Sequence, residues 1–426
     1  MALPWAILVF VYPMKRIAML VAVVSALASA VVAQAGAASP ACEEMRQRVL
    51  RGGGGASGLY VLDAESERTV CALSPTRPRS LASNMKLFTT STALARLGPD
   101  SRIATKLMSD GRVDQRGVLH GSLYLQGGGD PALGSPAFYG RFLGGLGTNL
   151  FGLTRQLRAA GVRRVSGRLY ADDTVFDRLR GVADSGYATS SYIGPLSGLA
   201  FNSGYRDARA SGFAADPAKI AASNLVRSLR LAGTTIRSGV ALGSTPLGAK
   251  LLATVRSPTI ERLAEATNVP SNNFYAEMLI KLLGARFGGA GATSAGAAVV
   301  ERFARSQGSG VHAVDGSGLT RGNRASPLQV ARLLEAMHDS ELADPFIQGL
   351  ALSSREGTVD DRMEGSAAEA RCRTKTGTLT GVSALSGYCF NRSGRIMIFS
   401  ILMASVYDLS LAHREQDRVA AMVASY

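Results

Sequence analysis

The apolar positions of this chain follow two periods, one near 3.6 residues and one of two, and the two periods fall in separate blocks. Residues 58–63 and 69–73 carry the short period on either side of Glu65-Ser66-Glu67, a pattern that predicts a β-hairpin. From 83 to 97 the period lengthens. Met85, Leu87, Phe88, Ala93, Leu94 and Leu97 share helical spacing, and Gly98-Pro99 stops the helix. The stretch 102–252 is different in kind: glycine-rich, with short β-like runs at 118–126 and 164–171 and a turn at Gly127-Gly128-Gly129-Asp130-Pro131. It reads as an inserted, mostly β module of one or two subdomains with a few helices, among them 217–232. Helical spacing then returns at 260–267, 274–287, 292–307 and 327–337. Runs at 375–379, 385–391 and 395–404 predict adjacent strands with a tight turn at 391–394, and an amphipathic helix at 411–425 closes the chain. Strands and helices in separate runs give an α+β class, an antiparallel sheet flanked by helices.

Length and the N-terminus refine this outline. A chain of 426 residues exceeds one ordinary core. The expected division is a discontinuous domain of 39–101 and 253–426 around the module at 102–252. Residues 1–38 read as a secretory signal. Lys15 and Arg16 precede an apolar run at 17–32, which is followed by the small residues of Ala33-Gln34-Ala35. Met14 is the expected initiator, ahead of which 1–12 is an over-long start. Export to the periplasm, cell wall or medium follows. The four cysteines fit an oxidising compartment, which favours the local pairs Cys42–Cys71 and Cys372–Cys389, although sequence alone allows three connectivities. Loss of Lys15 and Arg16 with the signal lowers the formal charge from +15 to +13. No dense basic block or basic stripe with aromatics stands out, so nucleic-acid binding lacks support, whereas peripheral attraction to anionic envelope polymers fits the charge.

The candidate chemistry begins with a scarcity. Seven lysines occur, at 15, 86, 106, 219, 250, 281 and 375, and one of them, Lys86, follows a serine by three positions in Ser83-Asn84-Met85-Lys86. At a helix start, positions i and i+3 share a face, so the amine reaches the hydroxyl. A neutral amine can take the proton that an unassisted serine keeps near pH 7. The helix dipole favours the negative charge that develops there. The plain alternative is an N-cap serine beside an exposed lysine. Two further segments shift the balance. Ser271-Asn272-Asn273 stands just before a helix, where it serves either as a cap or as the edge of a cleft. Lys375-Thr376-Gly377-Thr378 opens a β-rich stretch, where a lysine and hydroxyls on a strand edge suit a carboxylate beside an extended peptide.

With these three motifs in order, the sequence resembles the penicillin-binding, active-site-serine family. Specifically, it resembles the D-alanyl-D-alanine carboxypeptidase/endopeptidase group with a large insert, peptidase family S13. The likeness extends to Leu81-Ala82-Ser83-Asn84-Met85-Lys86-Leu87 with Leu97-Gly98-Pro99-Asp100, and to 121–133 with its Gly128-Gly129-Asp130-Pro131-Ala132-Leu133. It continues at 172–177, Leu199-Ala200-Phe201-Asn202, Asp315-Gly316-Ser317-Gly318-Leu319 and 323–327, and spans residue 56 to the C-terminus. The separation of 185 positions between Lys86 and Ser271 leaves room for that insert. The resemblance implies a penicillin-binding/serine β-lactamase-like transpeptidase domain with a mostly β insert. It implies stem peptides of peptidoglycan ending in D-Ala-D-Ala as substrate, β-lactams as inhibitors, and no cofactor or metal. Ser83 would attack the penultimate D-alanine carbonyl, with Lys86 as base. Ser271 and Asn273 would pass the proton to the leaving amine and hold the substrate amide. Lys375 and Thr376 would position the terminal carboxylate and polarise Ser271, and the amides of Ser83 and Thr378 would form the oxyanion hole, with Gly377 as a further substrate-binding residue between Thr376 and Thr378. Asn272 stands where aspartate is frequent.

Rival chemistries lack their residues. The four histidines, His120, His312, His338 and His413, read as ordinary surface or core residues, and neither a G-x-S-x-G elbow nor an H-E-x-x-H helix occurs. A β-lactamase shares all three motifs, but such enzymes are usually shorter and lack the insert. From another class, a catalytically idle wall-binding protein would retain the fold without the intact motifs. The sequence is silent on oligomeric state, on the deacylation base, on the insert's role, and on whether a terminal D-alanine or a cross-link is cut.

Overall fold

The computed structural model describes residues 39–237 and 239–426, so the expected signal at 1–38 lies outside the described residues. Residues 41–426 form one compact unit. Its centre is a six-stranded antiparallel sheet in the order Ala351–Leu352, Cys372–Leu379, Val382–Phe390, Ile396–Ala404, Gly58–Asp63, Arg68–Leu73. Both faces of this sheet are covered, which explains the nearly unbroken apolar run of Ile396–Ala404. Ala384, Ile398 and Leu402 point into one core, together with the helices Met85–Leu97, Asn273–Phe287, Thr293–Ser306 and Pro327–His338. Their neighbours Leu385, Phe399 and Ile401 point into a second core beneath Pro40–Gly52 and Leu409–Ser425. Period-two alternation is still present here, but both halves of it are apolar. The hairpin turn before the central strand is set by Asn391, whose Oδ1 accepts the amides of Ser393 and Arg395.

Cys42 is bonded to Cys71 and Cys372 to Cys389, both within the second core. The latter bond joins directly opposed residues of adjacent strands. Closing its 17-residue separation is worth about 3 kcal/mol in the chain-entropy account. Replacing both cysteines by serine is therefore expected to lower the unfolding free energy by roughly 2–4 kcal/mol, measured by denaturant titration.

The region after the serine helix is more ordered than its glycine content suggests. It contains a five-stranded sheet in the order Val240–Leu242, Leu169–Asp172, Leu123–Gln126, Arg102–Ser109, Lys250–Thr259, and a four-stranded sheet in the order Thr235–Ile236, Arg164–Val165, Val118–His120, Arg112–Val113. The run at 118–126, read as one strand, is broken at Gly121-Ser122, and 164–171 is broken at 166–168. Each run thus serves both sheets in turn. Pairs such as Leu123–Gln126 with Leu169–Asp172 are parallel and need crossovers, supplied by the helices Phe151–Ala159 and Pro217–Leu231 over a third core. The strand Lys250–Thr259 pairs antiparallel with Arg102–Ser109, so the two ends of this region lie side by side. Among the described residues no helix is long and apolar enough to cross a membrane.

Candidate active site

Ser83 occupies a 3-10 turn, Ala82–Asn84, that feeds straight into the helix Met85–Leu97. It does not cap that helix. Asn84 is the cap residue, and no side chain closes the end. Ala82 is held at φ +44°, a conformation that a residue with a Cβ seldom adopts, and such strain concentrates at functional sites. The serine oxygen is thereby turned towards Lys86, whose Nζ lies 3.0 Å from Oγ.

Lys86 is fully buried. Its Nζ also contacts Asn273 Oδ1 at 2.7 Å and the Ser317 carbonyl at 2.7 Å. Asn273 Nδ2 donates to the Tyr192 carbonyl at 3.2 Å, which fixes the amide's orientation because a carbonyl only accepts. Burial lowers the Lys86 amine from its usual range to about 7, although the carboxylates of Asp315 and Glu277 act in the opposite direction. A neutral amine has two N–H bonds and one lone pair. Both N–H bonds are engaged by oxygens that only accept, so the lone pair is left for the Ser83 hydroxyl.

The other two motifs converge on this pair. Asn272 Oδ1 caps the helix Asn273–Phe287 by accepting the Tyr275 amide at 3.1 Å, which places Asn273 in the first turn. Ser271, just before it, sits at φ +58° and lines the cleft. From the sheet, the strand Cys372–Leu379 brings Gly377 against the serine turn. A Cβ there would lie 3.0 Å from the Ser83 amide nitrogen and 2.9 Å from the Leu81 carbonyl, so only glycine permits this approach. Asn84 Nδ2 ties the turn to the strand through the Lys375 carbonyl at 2.9 Å. Lys375 is buried, and burial together with the nearby Lys86 lowers its amine well below the usual lysine range. Its Nζ donates to the Thr376 carbonyl at 3.0 Å rather than to Ser271. Thr376 Oγ1 pairs with Thr358 Oγ1 at 2.7 Å.

These groups line a cleft of about 720 Å³ that includes Ser83, Ser271, Asn273, Thr376, Gly377 and Thr378. Sequence reasoning missed part of its wall. Val182, Asp184 and Tyr192 reach it from the insert, and His413, read as an ordinary residue, lines it from the C-terminal helix. It also missed Glu277, a fully buried acid in the same helix as Asn273. The available signal was periodicity: Asn273, Glu277 and Lys281 recur every fourth residue, a polar stripe on an otherwise apolar helix. Lys281 Nζ meets Asp177 of the insert at 2.5 Å.

Comparisons with known proteins point one way. The model of the D-Ala-D-Ala carboxypeptidase 3 (S13) family matches residues 47–212 and 205–426. A D-alanyl-D-alanine carboxypeptidase from Actinomadura sp. (strain R39) is 29% identical over 455 residues, covering 88% of this chain and 82% of that protein. The carboxypeptidase DacB of Mycolicibacterium smegmatis is 29% identical over 346 residues, covering 76% of this chain and 71% of its own length. In fold, the crystal structure of penicillin binding protein 4 (dacB) from Haemophilus influenzae superposes with a TM-score of 0.73 at 20% identity, covering 90% of this chain and 99% of that one.

Proposed function

The chain belongs to the D-Ala-D-Ala carboxypeptidase 3 (S13) family, and from that premise we propose that Ser83 is its nucleophile and Lys86 the base that activates it. The reaction is serine-type carboxypeptidase and endopeptidase chemistry on peptidoglycan stem peptides. One observation carries the residue assignment. A buried lysine amine, its two N–H directions engaged by Asn273 Oδ1 and the Ser317 carbonyl, stands 3.0 Å from Ser83 Oγ in the cleft.

Lys86 Nζ takes the Ser83 proton as Oγ attacks the carbonyl of the penultimate D-alanine. Negative charge builds on that carbonyl oxygen beside the Ser83 and Thr378 amides, at the start of the serine helix, whose dipole favours it. Ser271 and Asn273 line the same cleft as Ser83, where the proton can pass from Lys86 to the departing amine while Asn273 holds the substrate amide. Thr376 supplies a hydroxyl for the terminal carboxylate, with the Lys375 amine held directly behind it on the Thr376 carbonyl. The amine leaves, and water then cleaves the acyl-enzyme. The same acyl-enzyme forms whether the departing amine belongs to a terminal D-alanine or to a cross-linked strand. β-Lactams, which present an acylating carbonyl to the same serine, are expected inhibitors. The two disulfides and a wall substrate both fit export by way of residues 1–38.

The test is covalent. Labelled penicillin incubated with the purified protein should remain attached, with the label on the peptide containing Ser83, and should block D-alanine release from a D-Ala-D-Ala-ended peptide. Rapid penicillin turnover without accumulation would instead make the chain a β-lactamase. Absence of any attachment would make it an idle wall-binding protein.

A further inference from the structure

The Ser317 carbonyl that orients Lys86 belongs to a short loop, and every peptide of that loop is held in place. Glu277 Oε1 accepts the amides of Gly316 at 2.9 Å and Ser317 at 2.7 Å. Asp315 Oδ1 accepts the Gly318 amide at 2.7 Å, and its Oδ2 accepts the Thr320 amide at 2.7 Å. Asn323 Nδ2 reaches Asp315 Oδ1 at 2.8 Å, and Thr89 Oγ1, from the serine helix, donates to the Gly316 carbonyl at 2.8 Å. The peptide between Ser317 and Gly318 is thus fixed at both ends, its carbonyl on Lys86 and its amide on Asp315. Glu277, Asp315, Ser317 and Asn323 are all buried.

We propose that Glu277 is a positioning residue for catalysis. By clamping the two amides before the Ser317 carbonyl, it aims one Lys86 N–H bond away from Ser83 and so directs the amine's lone pair at the nucleophile. It touches neither substrate nor Ser83 and acts through the loop. The clamp works through an accepting oxygen, not through charge. Glu277 Oε1 takes both hydrogen bonds, whereas Oε2 is buried with no partner. Burial, reinforced by the adjacent Asp315 carboxylate, pushes the Glu277 carboxyl above the ordinary range. A neutral amide of the same shape therefore preserves the clamp, whereas a charged but shorter side chain does not.

The inference rests on the reading of Lys86 as base, and two variants separate the possibilities. Glu277→Asp keeps the carboxyl but withdraws it by one methylene. Glu277→Gln keeps the accepting oxygen in place without the acid. Acylation by labelled penicillin, read as a second-order rate, should fall about 100-fold in Glu277→Asp, the scale of a small misplacement of reacting groups. It should stay within about threefold of the parent in Glu277→Gln. For D-alanine release the Asp variant should lose kcat with KM nearly unchanged. An Asp variant as fast as the parent, or a Gln variant as slow as the Asp variant, would overturn the proposal. Either result with the parent chain still labelled at Ser83 leaves the nucleophile assignment standing. Failure of the parent to label would remove that assignment instead.

Discussion

Exchange of Lys86 for methionine is expected to slow acylation of Ser83 by about 10³–10⁴-fold, measured as the rate of covalent attachment of a labelled penicillin. Methionine keeps most of the stem's volume, so packing around the buried position survives and the loss reports the missing base. Ser83→Ala should abolish attachment and reduce D-alanine release to background. The double variant should release no less D-alanine than Ser83→Ala alone, because the two residues act as one unit and their losses do not add. The pH dependence has a definite sign. Burial lowers the Lys86 amine to about 7, and the proposed base is its neutral form. Acylation should therefore rise as pH increases through about 7 and level off above it, with an unassisted lysine instead rising only near 10. Acylation that is flat from pH 5 to pH 9 in the parent protein would exclude Lys86 as the titrating base.

Gly318→Ala should be nearly as damaging, although this residue carries no chemistry. Gly318 sits at φ +87°, and an added Cβ would fall 1.8 Å from the carbonyl oxygen of Ala82, the residue before the nucleophile. Neither the backbone angle nor the contact can be relieved by turning a flexible side chain. The main chain of the serine turn or of the lysine-orienting loop must move. Left-handed strain and overpacking each contribute on the order of 1–3 kcal/mol. The expected result is a loss of roughly 3 kcal/mol in stability and at least about 100-fold in acylation rate. Gly308 is a useful contrast. It has a positive φ of +66° but open space around the would-be Cβ. Gly308→Ala should lose about 1 kcal/mol in a melting experiment and leave acylation unchanged. Equal acylation rates in the two variants would show that the Gly318 contact has no bearing on the nucleophile.

How much of this site could be read from sequence depended on the range of the interactions. Ser83 and Lys86 are three positions apart, and the contact between them is a local property of a helix start, so the motif alone pointed to it. The cap Asn272 and the strand from Cys372 to Leu379 are equally local, and the paired cysteines lie within single hairpins or short segments. The partners of Lys86 are of another kind. Asn273 lies 187 residues away and Ser317 lies 231 residues away, and no period in the sequence connects them. Glu277 looked like one acid in an apolar helix, and its two hydrogen bonds become apparent only when the Asp315–Leu319 loop folds over it. The sheet topology of residues 102–252 was out of reach for a related reason. Runs such as 118–126 have a strand's alternation, yet alternation carries no information on which sheet each half joins or whether its neighbour runs parallel.

The sequence by itself determined the period-coded helices and strands, the α+β class, the three motifs and the proposed nucleophile, because each depends on side chains close together along the chain. Tertiary structure alone decided what would equip Lys86 as the proposed base. Burial strips water from its amine, two acceptors from distant segments occupy its N–H bonds, and two buried acids hold the loop that supplies one of them. Desolvation and direction are properties of an enclosed volume. They arise only when the serine helix, the Asn273 helix and the sheet close on one another.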